Sequence, residues 1–305
     1  MARWQANRVR ELLTARGVSV ELITIHTSGD EGSGARPAPP PGTTGKGLFT
    51  KEIEDALLER RIDLAVHSLK DLSAELPPGL TIAAYPERED TRDALVSMRG
   101  GSVTDLPRRA RVGTSSLRRR AALLAARPDL TVVTLRGNVP TRVKKVGKDG
   151  LEAAVLALAG LRRLGLSQGA VPLPLDAFPP APGQGALAVE VRAGDHAVLE
   201  LLRPLDQPAV RGAVEAERAA LAELEGGCQA AIGAYCDSGH GLALNVRVFA
   251  PDGSKALSAR GPVNPADPAA GGRLVARDLI ARGARELVRL GREFTSSESL
   301  EREEA

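Results

Sequence analysis

Asp63-Leu64-Ala65-Val66-His67-Ser68-Leu69-Lys70-Asp71-Leu72 begins as a short apolar run and ends in polar groups. A run of that length bounded by breakers reads as a buried strand. Pro77-Pro78-Gly79 closes the segment soon afterwards. Lys70 and Asp71 therefore stand where a buried strand surfaces. In open α/β sheets ligands bind at that edge, outside the carboxyl ends of the strands. Alone, the segment favours the plainer reading, a Lys–Asp pair on a loop.

Toward the N-terminus, Leu48 to Arg61 reads as a helix and Ser28 to Gly47 as a Gly- and Pro-rich loop. A loop of that length is expected to be disordered or a functional lid. Its Gly42-Thr43-Thr44-Gly45-Lys46-Gly47 resembles a phosphate-binding loop, but Pro40 stands where the first Gly belongs and Gly47 where the metal-binding hydroxyl belongs. Lys46 reads by default as a solvated loop lysine. Val18 to His26 alternates as a strand does, and Arg3 to Arg16 carries the apolar stripe Val9, Leu12, Leu13 of an amphipathic helix ended by Gly17. Helix, strand, helix, strand is the rhythm of a sheet with crossover helices.

In the other direction Ala94 to Ser97 starts a strand, and the strongest electrostatic signal follows. Between Pro107 and Lys145 stand eleven basic residues and one acid, Asp129. The segment is +10, so the remainder of a chain of net charge +3 sums to 3 − 10 = −7. Arg111-Val112-Gly113 is a short strand, and Thr114-Ser115-Ser116 supplies N-caps for a helix through Arg127. Arg118 and Arg119 fall in its first turn, where the helix dipole disfavours positive charge, so a ligand explains them better than helix stability does. Thr131 to Leu135 and Arg136-Gly137-Asn138-Val139-Pro140-Thr141-Arg142 repeat the strand, turn and helix start. Two such turns suit a small molecule with several carboxylates or phosphates, which Arg binds bidentately. The plainer alternative is a solvated basic face.

Glu152 to Ala159 is an apolar strand and Pro172 to Pro182 a linker. Gly183-Gln184-Gly185 then precedes a strand, Ala186 to Val191, whose position implies re-entry into the first sheet. Helices follow at Asp195 to Leu202 and Ala209 to Leu224. Two glycines in Glu225-Gly226-Gly227-Cys228-Gln229 leave the sulfur uncrowded, whereas Cys236 sits in an apolar pattern. Cys228 is thus the better candidate for a reactive thiol, with an inert loop cysteine as the alternative. Leu242 to Phe249 and Lys255 to Arg260 form an antiparallel pair, Ala269 to Arg292 reads as one long helix, and Ser296 to Ala305 as a disordered charged tail.

Composition bounds the rest. A chain of 305 residues, 43% hydrophobic and 26% charged, is ordinary globular material for two or three domains. Only 2% of residues are aromatic, too few for stacking on single-stranded nucleic acid. No apolar run approaches the roughly 18 residues of a membrane span. The start lacks the apolar core of an export signal, and there are two cysteines, so the expectation is a cytoplasmic, reduced setting with no membrane or nucleic-acid partner. His26, His67, His196 and His240 are scattered, and Cys228, Cys236 and His240 match no common zinc spacing, so no metal is expected.

Six ordered motifs now stand together: Gly45-Lys46-Gly47-Leu48-Phe49, Ala65 to Asp71, Gly113 to Arg119, Arg136 to Val139, Gly183 to Ala186 and Glu225 to Gln229. From Arg3 to about Arg292 the chain resembles the porphobilinogen deaminase (hydroxymethylbilane synthase) family. The resemblance implies an α/β fold: two solute-binding-protein-like domains flanking a cleft, at 1–88 with 186–204 and at 92–181, and a smaller α+β domain at 208–293, ahead of a disordered tail at 294–305. It implies a dipyrromethane cofactor joined to Cys228 by a thioether, and head-to-tail condensation of four porphobilinogen molecules with loss of ammonia. Asp71 matches the catalytic aspartate. Ser68, Lys70, Ser115, Ser116, Arg118, Arg119, Arg136 and Gln184 match cofactor-binding positions, and Gln5, Lys46, Arg142 and Arg163 substrate-binding ones. A cytoplasmic monomer is expected.

Two departures accompany the match. The family's first strand and its substrate-binding Arg precede the residues that match Leu13 and its helix, and they are absent here, which leads to the expectation that the native start lies upstream of Met1. The loop also differs: Ser28 stands where the family usually has Arg, and Gly42 where a second Lys is common. The rival readings are a truncated, weakly active or inactive homologue acting only as a small polyanion-binding protein, a non-catalytic solute-binding module and a nucleic-acid-binding protein. Only the enzyme reading requires the motif around Cys228.

Overall fold

The computed structural model describes residues 1–27, 50–225, 230–237 and 242–303, the last seven of these without their side chains. In chain order the helices are α1 (Ala2–Thr14), α2 (Lys51–Leu58), α3 (Leu117–Ala126), α4 (Val139–Lys145), α5 (Leu158–Arg163), α6 (His196–Leu202), α7 (Pro208–Glu223), α8 (Pro268–Ala281) and α9 (Ala284–Glu303). The strands are β1 (Leu64–Ser68), β2 (Leu80–Ala84), β3 (Asp93–Ser97), β4 (Arg111–Gly113), β5 (Thr131–Val133), β6 (Leu151–Ala157), β7 (Val171–Pro172), β8 (Leu187–Arg192), β9 (Ile232–Asp237), β10 (Ala243–Phe249) and β11 (Ala256–Pro262). The described chain divides into two compact units, 1–89 with 186–212, and 90–185 with 213–305.

The first unit holds a three-stranded sheet in the order β1-β8-β2. Its central strand, Leu187-Ala188-Val189-Glu190-Val191-Arg192, is buried at every residue, as an inner strand covered on both faces must be. The chain therefore does return to its first sheet after the proline-rich segment. It returns antiparallel to both neighbours, not in the parallel sense that crossover helices imply. Against the sheet α1 lays Val9 and Leu13 into a cluster with Ala84, Val189, Val191 and Leu202. The helix ends at Gly17, whose φ of +81° lets the N–H of Val18 reach back to the carbonyl of Leu13.

Residues 18–26, expected as a strand, pair with none among the described residues. Alternation decides which side chains would face a sheet; a strand also needs a neighbour to take its backbone hydrogen bonds. Leu22 and Ile23 are accordingly exposed.

The second unit contains a mixed five-stranded sheet, β5-β4-β6-β3-β7, with β4 parallel to β5 and β6. It also contains an antiparallel sheet, β11-β10-β9, backed by α8 and α9. The two sheets share a core in which Ala231 and Phe249 pack with Leu95, Val112 and Leu123. The strand expected over 152–159 stops at Ala157, where the chain turns directly into α5. The helix expected over 269–292 is two helices, α8 and α9, because Gly283 takes φ +94° and breaks the hydrogen-bond ladder. The tail expected to be disordered continues α9 to Glu303. Arg289 binds Glu286 and Glu293 three and four residues away, which favours that continuation.

Candidate active site

Lys46 and Cys228 lie outside the described residues. The other expected site residues fall into groups that can be built unit by unit.

In the first unit, β1 delivers Ser68 at its end and runs into one short 3₁₀ turn, Leu69–Asp71. Leu69 is buried and anchors that turn, so Lys70 and Asp71 are carried to the surface just past the strand. The Asp71 carboxylate is exposed and has no hydrogen-bond or ion-pair partner among the described residues. Ser68 Oγ accepts a hydrogen bond of 2.5 Å from Nε2 of Gln5, which is buried on α1. One helix thus fixes the strand end that presents Asp71. Just behind it, His67 Nε2 lies 3.0 Å from Glu190 Oε2, both buried. That pair joins β1 to β8.

In the second unit, β4 and β5 run parallel and each ends in a turn into a helix. Ser116 caps α3 by accepting from the N–H of Arg119, and Asn138 caps α4 by accepting from the N–H of Thr141 at 2.9 Å. Ser115 Oγ donates to the Leu135 carbonyl at 2.7 Å, which ties the first turn to the second. Arg136 is exposed, and no described residue pairs with its guanidinium. Arg142 Nε donates to the Gly137 carbonyl at 2.6 Å and so braces the second turn.

Arg118 and Arg119 are placed differently from the expectation of open anion-binding arginines. Both are buried, and both bind one carboxylate, Asp93, at 2.8 and 2.7 Å. A structural partner therefore accounts for two charges that helix stability alone could not. Burial by itself would push the Asp93 carboxyl up, but the two guanidiniums hold it well below the usual carboxylate range. Gln184 Nε2 also donates to Asp93, at 2.8 Å, and Arg163 donates to the neighbouring Gly185 carbonyl at 2.6 Å. Arg118, Arg119, Arg163 and Gln184 thus form one cluster.

Two guanidiniums on one carboxylate leave a formal charge of +1 in buried surroundings. Arg119 Nε is buried and finds no acceptor among the described residues. Asp93 was missed from sequence because Glu87, Glu89 and Asp90 crowd the same stretch, and nothing in the pattern selects the one that begins a buried strand. The His67–Glu190 pair carried a clearer signal, since each interrupts an apolar strand run.

Comparison with known proteins completes the picture. A family model described as porphobilinogen deaminase, dipyromethane cofactor binding domain, matches residues 1–200, and one for the porphobilinogen deaminase C-terminal domain matches residues 212–281. The chain belongs to the porphobilinogen deaminase family. A relative of that name from Moorella thermoacetica is 49% identical over 292 residues, covering 94% of this chain and 92% of the relative. One from Syntrophobacter fumaroxidans is 45% identical over 293 residues, covering 94% of each. Another, from Rubrobacter xylanophilus, is 46% identical over 286 residues, covering 93% and 92%.

The residues present fit the porphobilinogen deaminase cofactor. Dipyrromethane carries acetate and propionate groups, and the second unit offers an unsatisfied buried Arg119 Nε–H, an excess cationic charge and an exposed Arg136. Among the described residues no cluster of His, Cys, Asp and Glu could hold a metal ion, and no helix is long and apolar enough to cross a membrane.

Proposed function

We propose that this chain is a hydroxymethylbilane synthase, a transferase of tetrapyrrole biosynthesis that joins four porphobilinogen molecules head to tail with loss of ammonia. The observation that carries this reading is the family match over both the cofactor-binding and C-terminal segments, the latter including Cys228. Dipyrromethane, held covalently through Cys228, would supply the pyrrole to which incoming units are joined. Arg119, Arg136, Ser115 and Ser116 would hold its carboxylates and those of the growing chain, with Arg118 and Gln184 fixing Arg119 through Asp93. Arg142, Arg163, Gln5, Lys46, Ser68 and Lys70 complete the binding assignment.

Asp71 supplies a fixed negative charge at the end of β1. As ammonia leaves porphobilinogen, positive charge develops at the pyrrole nitrogen, and a preorganised carboxylate lowers the energy of that state. Its exposure and lack of a partner among the described residues leave it available to do so. Asp71→Asn keeps the shape and removes the charge. Turnover should fall about a hundredfold or more, with cofactor loading intact; normal turnover with failed binding would reverse the roles given to Asp71 and Arg136.

The finer assignments are a cytoplasmic, monomeric enzyme whose residues 208–293 form a third domain, with no nucleic-acid partner. The last is supported by the use made of the basic segment: Arg118, Arg119, Arg127 and Arg142 are engaged within the chain. Intact-mass measurement tests the whole proposal. Active protein should exceed its sequence mass by about two pyrrole units, and Cys228→Ser should abolish the excess. Unmodified protein that still makes tetrapyrrole would overturn it.

A further inference from the structure

The antiparallel sheet β9–β10–β11 buries one face beneath α8 and α9, and the segment from Leu175 to Pro179 lies along part of the other. Ala234, Leu244, Val246 and Val248 point into the core beneath α8 and α9. Alternation turns Gly233, Tyr235, Asn245, Arg247, Ser258 and Arg260 to the other face. Across it Asn245 lies opposite both Tyr235 and Arg260, and Arg247 opposite both Gly233 and Ser258. An open groove of about 460 Å³ lies over Tyr235, Asn245, Arg247, Ser258 and Arg260, walled by Leu175, Asp176 and Pro179. That is within the usual size range of small-molecule sites.

Its electrostatics are specific. Arg247 makes no ion pair with any described residue. Its guanidinium donates to the backbone carbonyl of Asp176 at 2.7 Å and lies 4.8 Å from the centre of the Phe249 ring. Its Nε–H is buried without an acceptor among the described residues. Arg260 is exposed and meets Asp237 only at 3.8 Å. Tyr235 donates its hydroxyl to Asp176 Oδ1 at 3.1 Å, and burial together with that carboxylate pushes the phenol up to about 12. It is a neutral donor at ordinary pH.

The wall is fixed. A Cβ on Gly233 would lie 2.6 Å from the Pro179 ring and carbonyl oxygen, so only glycine lets the segment seat this closely. The same Pro179 carbonyl accepts from Arg118 at 2.5 Å. A preformed wall loses little entropy when a ligand arrives.

We propose that this face is a second binding site, for a small monocarboxylate with a planar aromatic body. Arg247 supplies a charge-assisted donor for one carboxylate, assisted by Asn245, Ser258 and Arg260. Leu175, Pro179 and the Tyr235 ring supply the apolar wall for the body. Asp176 lines the same groove and disfavours ligands of higher negative charge, which separates this site from one built for polycarboxylates.

The test is calorimetric titration of the full chain with indole-3-acetate, using uncharged indole-3-acetamide as control. The acid should bind saturably and the amide at least about tenfold more weakly, the scale of one charge-assisted hydrogen-bonding partner. Arg247→Gln should weaken the acid by a similar factor. Because Arg247 also staples Asp176, Ser258→Phe serves as the second variant. It places a ring directly beside Arg247, leaves the staple in place and should abolish binding while turnover persists. Porphobilinogen should not displace the acid. Absence of saturable binding up to about 1 mM acid, equal binding of acid and amide, or undiminished binding by Ser258→Phe would each overturn the proposal.

Discussion

Asp93 shows what a single buried charge does in this chain. It lies beneath two guanidiniums and a carboxamide, and neither arginine has another carboxylate among the described residues. Asp93→Asn would leave two buried cations uncompensated, at a cost of about 3–5 kcal/mol, read as a lowered urea midpoint. The pH dependence follows from the direction of the shift. Its folded pKa is depressed below the unfolded value of about 3.9. The unfolded chain therefore binds the proton first on acidification, so the Asp93 contribution is complete above about pH 4 and is lost as pH falls toward the folded value. Urea unfolding at pH 6 and pH 3.5 should show a smaller acid loss in Asp93→Asn than in the parent; an equal loss would remove Asp93 from the account. The arginines themselves were legible in sequence as a local excess of charge. Their partner was not, because it stands 25 and 26 positions away at the start of β3, and charge counting carries no information about such pairings.

Elements were legible where local chemistry decides them. Ser116 and Asn138 sit at helix starts and act as caps, and Gly17 stops α1. Elements that depend on a distant neighbour were not legible: residues 18–26 have the alternation of a strand but no partner, and Gly283 was hidden inside a pattern that reads as one helix. The β10–β11 hairpin belongs to the same class. Pro251-Asp252-Gly253 has the residue types of a turn, but nothing in the sequence announces what that turn rests on. Gly253 has φ +75°, and a Cβ there would lie 2.4 Å from the Ala125 nitrogen and 2.7 Å from the Ala121 carbonyl oxygen, both backbone atoms of α3. Backbone cannot swing aside as a side-chain tip can. Gly253→Ala should therefore cost about 2 kcal/mol or more, combining left-handed strain with overpacking. Gly100 has φ +68° and open space around the site of its Cβ, so Gly100→Ala should cost only about 1 kcal/mol. If thermal or urea unfolding shows the two variants equally destabilised, the hairpin does not depend on its seat against α3.

At the scale of the whole chain, the path through the units governs how the first can fold. In the order β1-β8-β2, β1 and β2 are not paired with each other; among the described strands each pairs only with β8, which arrives about 120 residues after β1. The re-entry was legible, since an apolar strand follows a proline-rich segment. Its antiparallel direction was not, because an apolar strand run reads the same for either direction of pairing. Residues 1–89 alone would expose both edges where β8 belongs, together with apolar side chains of β1 and β2, and an isolated strand without partners is not stable. The break points nevertheless meet: Arg88 and Ala186 form a β-bridge, and the N–H of Leu187 donates to the Glu87 carbonyl at 3.3 Å. A short link of about four Gly and Ser residues is enough to join 1–89 directly to 186–212. That joined polypeptide should unfold in one cooperative urea transition, whereas 1–89 alone should show none. Long-range pairing of this kind also closes slowly, since the intervening loop must be ordered before β8 contributes contacts. The joined form should consequently refold faster than the full chain regains its first unit, as followed by exchange protection of the β8 amides. A cooperative transition in 1–89 alone would show that β1 and β2 hold together without their central strand, and the threading would then not control the fold of the first unit.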